Sequence, residues 1–275
     1  MKVNIEESVD LIVNQFSKFM GTHPAIIGIS GGIDSAVVAS LCVRALGKKN
    51  VIGVMMPYGT QSIADSELVA KSLGINYIIQ PIERVTDAVL ATQNMVPNSD
   101  LTENQFNTLT CGNARARTRM IILYTLANHF NGMVIGTTNK TEMMIGYFTK
   151  FGDGACDVEP IASLYKTDVW KMAEFLGLPK SIIEKKPSAE LWAGQTDESD
   201  IGLTYKEMDE MLPVIEEIQI KRARFGVSET VKEREKEARS RFGKDKFCKL
   251  MERVRGSEHK RNMPPSFRAI VDFDK

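Results

Sequence analysis

Ser30-Gly31-Gly32-Ile33-Asp34-Ser35 gathers two hydroxyls, a carboxylate and a glycine pair in one short stretch. It lies between the apolar run Ala25-Ile26-Ile27-Gly28-Ile29 and the helix-like run Ala36-Val37-Val38-Ala39-Ser40-Leu41-Cys42. A short strand, a glycine pair and a helix start is how α/β proteins cradle phosphate. Glycine lets the backbone approach an anion, and the unpaired N–H groups of the first helical turn point at it. The spacing is not that of the Walker A loop, because no Gly-Lys-Ser/Thr follows, nor that of the Gly-x-Gly-x-x-Gly fingerprint. Asp34 is out of place beside an anion unless it holds a cation. The plain alternative is a strand–turn–helix with a Ser/Asp start signal.

The elements that must position this loop follow from periodicity. Residues 5–20 carry apolar side chains at helical spacing (Ile5, Val9, Ile12, Val13, Phe16, Phe19, Met20). Strand-like runs at 25–29, 51–55, 75–79 and 132–135 alternate with helical stretches at 35–46, 62–73 and 103–130. That alternation predicts an α/β fold, a doubly wound parallel sheet with helices on both faces. The loops 30–35, 56–62 and 136–142 then fall at the carboxyl ends of strands, where such sheets bind ligands. Past residue 160 strand signals fade. A helix is expected over 167–176, ended by Gly177 and Pro179, then a polar, mobile loop from Lys185 to Asp200. Further helices are expected over 204–222, 228–240 and 244–258. The expected organisation is one unit over 1–275: an N-terminal helix (1–24), a nucleotide-binding core (25–160) and a mostly helical portion (161–275).

Hydrophobic content of 43% and charged content of 25% are those of an ordinary soluble globular chain. Cys42, Cys111, Cys156 and Cys248 are scattered and form no Cys-x-x-Cys pair, which predicts a reduced cytoplasmic protein without a zinc site. No secretory h-region or membrane-spanning run is present. Net charge is zero but uneven: Lys221–Arg261 holds 15 Lys/Arg against 7 Asp/Glu. Without interleaved aromatics or a nucleic-acid motif this reads as a solvated helical face with i,i+4 pairs, and no nucleic-acid partner is expected.

The loop resembles the SGGxDS element of the ATP pyrophosphatases, and later segments narrow the resemblance. Gly112-Asn113-Ala114-Arg115-Ala116-Arg117-Thr118-Arg119-Met120, Gly136-Thr137-Thr138-Asn139-Lys140-Thr141-Glu142 and Gly146-Tyr147-Phe148-Thr149-Lys150-Phe151-Gly152-Asp153-Gly154 are similar to segments of the NAD synthetases. So are Pro187-Ser188-Ala189-Glu190-Leu191-Trp192, Gly194-Gln195-Thr196-Asp197-Glu198 and Glu258-His259-Lys260-Arg261 with Pro264-Pro265. The matches run in the family's order from about residue 25 to 265.

This resemblance implies the adenine-nucleotide α-hydrolase fold and a two-step ligase. The carboxylate of deamido-NAD attacks the α-phosphate of ATP, releasing pyrophosphate. Ammonia then displaces AMP from the acyl-adenylate to give NAD. The family's ATP contacts fall on Gly28, Ile29, Ser30, Gly31, Gly32, Ile33, Asp34, Ser35, Gln61, Thr137, Lys166 and Ser188. Its deamido-NAD contacts fall on Arg117, Lys150, Asp157, His259 and Lys260. Asp34 and Glu142 would bind Mg²⁺, and with Lys166 make the catalytic set. A homodimer is implied, as is free ammonia rather than glutamine as nitrogen donor, since no cysteine lies in a glutaminase-like setting. Each residue has a plainer reading: Asp34 as a helix-dipole partner, Arg115 and Arg119 as an i,i+4 face, Lys150 and Lys166 as surface lysines, Trp170 as core.

Two departures from the common pattern stand out. Met55 occupies the place of an arginine that precedes the Pro-Tyr-Gly-Thr turn in many members, and Thr138-Asn139-Lys140 replaces an Asp-His-Ala type. The competing functions are another ATP pyrophosphatase, of the GMP-synthetase or tRNA-modifying kind, and a non-catalytic adenine-nucleotide sensor.

Overall fold

A computed structural model describes residues 3–91, 108–188 and 196–266. The first helix, α1 (Ile5–Met20), starts where Asn4 accepts the Glu7 N–H and stops at Gly21. It buries Val9, Phe16 and Met20, one face of the predicted stripe. Then come β1 (Ala25–Gly28), α2 (Ile33–Leu46), β2 (Val51–Met55), α3 (Ala64–Leu73), β3 (Asn76–Ile79), α4 (Glu83–Ala91), α5 (Thr108–Phe130) and β4 (Met133–Ile135). The chain continues through α6 (Lys140–Ile145), α7 (Lys166–Phe175), α8 (Lys180–Ile183), α9 (Asp197–Ile201), α10 (Tyr205–Phe225), α11 (Glu229–Phe242), α12 (Lys244–Gly256) and α13 (Glu258–Arg261).

All four strands are parallel, in the order β3-β2-β1-β4. Alternation assigns their side chains to two faces. Ala25, Ile27, Val51, Met55 and Ile135 join the core under α1, α2 and α7. Ile26, Val54 and Val134 pack with Ala127 of α5 on the other face. Helices on both sides make the sheet doubly wound, as periodicity predicts. The chain runs outward from β1 to β3 and returns to β4 on the other flank of β1. The topological switch point, where open α/β sheets take ligands, is therefore between β1 and β4.

A second apolar cluster lies among the later helices. Met144 and Ile145 of α6 pack with Tyr205, Met208, Leu212 and Ile215 of α10 and with Phe247, Leu250 and Val254 of α12. Half-buried Trp170 on α7 touches both cores and meets the Tyr205 ring edge-on at 5.9 Å. It is a seam residue rather than the plain core residue its helix position suggests.

Two expectations change. The loop expected over 136–142 gives way at Lys140 to α6, because Asn139 accepts the Glu142 N–H and starts a helix there. The mobile loop expected over 185–200 includes residues 189–195, which lie outside the described residues, and its last part is helix α9, capped by Thr196. Residues 103–107 of the long expected helix also lie outside the described residues.

Candidate functional site

The chain leaves β1 at Gly28 and makes a tight turn before α2. Ser30 and Ser35 bring their hydroxyls within 3.2 Å of each other. The Ser30 hydroxyl accepts the Gly32 N–H, and Ser35 Oγ donates to the Gly32 carbonyl. Gly31 has φ +77°, and a Cβ there would sit 2.6 Å from the Asp65 Cβ at the start of α3, so only glycine fits. No side chain caps the first turn of α2. Its N–H groups therefore stand toward the carboxyl-end crevice, as an anion site requires.

The acidic residues sit opposite one another across the switch point. Asp34 is in the first turn of α2 and Glu142 in the first turn of α6. The Lys166 ammonium, at the start of α7, lies between them, 2.5 Å from Asp34 Oδ2 and 2.9 Å from Glu142 Oε1. Lys166 is only 2% exposed. Burial disfavours its charge, but the joint pull of Asp34 and Glu142 overcomes that and holds its pKa above the ordinary lysine range. Burial pushes the Glu142 carboxyl up to about 7, against Lys166 and with help from the Asp34 charge.

Residues outside the expected site set complete this centre. Asn139 donates from Nδ2 to Asp34 Oδ1 at 2.9 Å. The Tyr205 hydroxyl lies 3.2 Å from Glu142 Oε1 and 2.8 Å from Asp197 Oδ2. Thr141 donates to Asp209 and accepts the Lys166 N–H, while Asp209 also accepts the Thr167 N–H. That chain fixes the start of α7 to α6 and α10. Asp197 is 4% exposed, its pKa raised first by burial, and its Oδ1 has no hydrogen-bond partner among the described residues. Sequence held one usable signal, Asn139 three residues before Glu142, a helix-start spacing. Tyr205 and Asp209 carry none, because their helix is read only by periodicity, while Asp197 enters only as part of the segment 194–198, with no role attached.

A cavity of about 920 Å³ opens from this centre. That is the upper end of the roughly 300–1,000 Å³ typical of ligand clefts. Gly28, Ile29, Ser30, Gly32, Ile33, Asp34, Ser35, Gln61, Thr137, Glu142, Lys166 and Ser188 line it, while Gly31 braces the loop from behind. Gln61 accepts the Tyr58 N–H and an Arg119 N–H, at 2.9 and 3.3 Å. Met55 is fully buried, and Arg119, reaching over from α5, donates to the Met56 carbonyl and lines the cavity. A guanidinium thus reaches the strand end where sequence leaves an arginine missing. Lys185 pairs with Asp65 at 2.9 Å and lines the cavity, joining the segment after α8 to the start of α3.

The residues expected to hold the second substrate divide. Lys260 lines the cavity and donates to the carbonyls of Gly146 and Phe148. Arg117, Lys150 and His259 form a connected rim outside its wall: Arg117 donates to the Lys150 carbonyl, and Lys150 to that of His259. The His259 ring contacts the Gly256 carbonyl at 3.2 Å. Asp157 stands apart, accepting from Val134 N–H and the Tyr124 hydroxyl.

The donor set fits a hard divalent cation. Two carboxylates from separate helices converge on one point, now filled by an ammonium, beside a phosphate cradle. Among the described residues no cluster of three or more His, Cys, Asp or Glu forms. Mg²⁺ is commonly held by one or two carboxylates, with water and substrate phosphate taking the other positions.

Comparison with known proteins identifies the family. The NAD synthase family model matches residues 4–264. A protein of Methanosarcina mazei named NH(3)-dependent NAD(+) synthetase is 45% identical over 252 residues, covering 89% of this chain and 90% of its own. The structure of an NMN synthetase from Francisella tularensis is similar with a TM-score of 0.77 at 32% identity, over 98% of this chain and all of its own. An NH3-dependent NAD synthetase from Campylobacter jejuni aligns with a TM-score of 0.72 at 28% identity, over 97% of this chain and all of its own.

Proposed function

The chain belongs to the NAD synthase family, and from that premise we propose that it is a ligase converting the carboxylate of deamido-NAD to the amide of NAD with ATP and ammonia. The observation that carries this reading is the Asp34–Lys166–Glu142 cluster, built around a buried ammonium, at the mouth of the Ser30–Ser35 loop. A carboxylate is a poor acyl donor until its oxygen becomes a leaving group, and adenylation at the α-phosphate supplies one. That attack brings anions together, so the site must offset developing negative charge.

The Ser30 and Ser35 hydroxyls and the first N–H groups of α2 hold the ATP phosphates. Gln61 and Arg119 stand at the far wall, on the adenosine side. Asp34 and Glu142 would hold Mg²⁺, whose chemistry there is to neutralise charge on the phosphate oxygens. Lys166, placed between them, donates a point charge to the same oxygens as negative charge builds. Its buried position keeps water from screening that charge. For the second step, Asp197 Oδ1 is an open acceptor for an N–H of ammonia, and its raised pKa suits it to take the proton released as the C–N bond forms. Lys260 and the Arg117–Lys150 rim present cations to the dinucleotide pyrophosphate.

A homodimer belongs to the same reading. Val85 and Val89 of α4 and Ile121 of α5 are exposed apolar side chains on helices that pack together, a surface for a second copy. Its four free thiols suit a reducing cytoplasm, and no described helix is long and apolar enough to cross a membrane. The test is incubation with ATP, Mg²⁺ and deamido-NAD, with ammonium chloride or glutamine as nitrogen source. AMP and NAD in equal amounts with ammonium, and none with glutamine, is the expected result. A parallel arm with the mononucleotide acid separates this reading from the activity named for the Francisella protein. ADP as product, or no turnover with either acid, overturns it.

A further inference from the structure

The geometry points to Asn139 as the residue that positions the carboxylate pair across the switch point, an inference that rests on the ligase reading. Its side chain is 0% exposed and spans two helix starts. Oδ1 accepts the Glu142 N–H at 3.0 Å, which begins α6, and Nδ2 donates to Asp34 Oδ1 at 2.9 Å. Only one orientation of the amide serves both neighbours, because a backbone N–H can only donate and an ionised carboxylate can only accept.

Helix capping explains the first bond and not the second. Serine, threonine or aspartate would cap α6 as well, but none combines that acceptor with an amide N–H aimed at Asp34. The two oxygens of Asp34 are also divided: Oδ1 goes to Asn139 and Oδ2 to Lys166. When Lys166 turns to phosphate, Oδ2 is the oxygen released to a cation, while Oδ1 stays with the amide. Asp34 therefore offers a single oxygen of fixed direction, and the spacing to Glu142 is set by one rigid side chain. Asn139 is a positioning residue: it acts through Asp34 and Glu142.

The test separates positioning from capping. Asn139→Ala removes both bonds, whereas Asn139→Ser retains a cap acceptor and loses the amide arm. Mn²⁺ binding to the protein loaded with α,β-methylene-ATP is measured by electron paramagnetic resonance, and thermal unfolding by circular dichroism. Asn139→Ser is expected to keep its unfolding midpoint within about 3 °C of the parent. Its Mn²⁺ affinity is expected to fall roughly 10- to 100-fold, the usual cost of losing a group that orients a metal ligand. Affinity within about twofold of the parent, with loss only in Asn139→Ala, reduces Asn139 to a helix cap and overturns the inference. Failure of the parent complex itself to bind Mn²⁺ overturns the ligase reading, and this inference with it.

Discussion

The phosphate end of the site and its basic rim hold their charges in different ways. Asp34, Glu142 and Lys166 face one another largely out of solvent, the ammonium between the two carboxylates and Glu142 also met by the Tyr205 hydroxyl. Arg117, Lys150 and Lys260 are instead tied to main-chain carbonyls, which orient a cation without cancelling its charge. Ions of opposite sign removed from water hold a geometry at high cost to either partner if the other is lost. Cations leaning on carbonyls keep a field that an anionic ligand can meet. One end is built to do chemistry, the other to attract.

Three substitutions probe that contrast. The largest effect is expected from Lys166→Met, which strands two carboxylates. Pyrophosphate release should fall about 10²- to 10³-fold, the range for one transition-state donor. Denaturant unfolding should show a loss of about 3–5 kcal/mol from breaking a buried pair. A near-normal rate in the folded variant would place Lys166 in the scaffold only.

Glu159 tests whether the wall beside β4 shares the buried character. It accepts the Thr138 N–H at 3.0 Å, and burial raises its carboxyl from the ordinary glutamate range to about 7. The native state then keeps a proton that the unfolded chain gives up, so stability falls as pH rises from 4.5 through 7. Glu159→Gln should remove that slope and gain about 2 kcal/mol over the parent at pH 8 relative to pH 5. Parallel unfolding curves for the two proteins at both pH values would show that this wall is effectively wet.

The smallest effect is expected from Arg117→Ala at the rim. KM for deamido-NAD should rise about tenfold, equivalent to one charge-assisted contact, with KM for ATP unchanged. Steady-state kinetics varying each substrate decides it. A drop in kcat with both KM values intact would erase the division between the two ends.

Much of the frame was legible before any coordinates. The apolar stripe from Ile5 to Met20 matches α1 at both ends, because its spacing, Asn4 and Gly21 all agree. The Ser30–Ser35 loop was legible because glycines and hydroxyls at that spacing have few other uses. The sequence reads Glu142 as a loop residue, since a helix as short as α6 is too brief to show periodicity. The roles of Tyr205 and Asp197 are hidden for a different reason: they arise where α9 and α10 fold back over Glu142, a tertiary meeting that no local pattern encodes. Arg117, Lys150 and Lys260 rest on resemblance alone, and of the three only Lys260 lines the cavity.

The sequence separations within the charged cluster bear on how the molecule folds. Asp34 meets Asn139 across 105 residues and Lys166 across 132, and Glu142 meets Tyr205 across 63. Contacts of such length form only after the intervening loops have closed, which places them late in folding. The strand and helix flanking the phosphate loop can take shape from neighbours close in sequence, while Asp34 stays hydrated until the start of α7 arrives. Nucleotide affinity during refolding should therefore trail the recovery of helix signal, and its appearance marks the docking of the later helices onto the sheet.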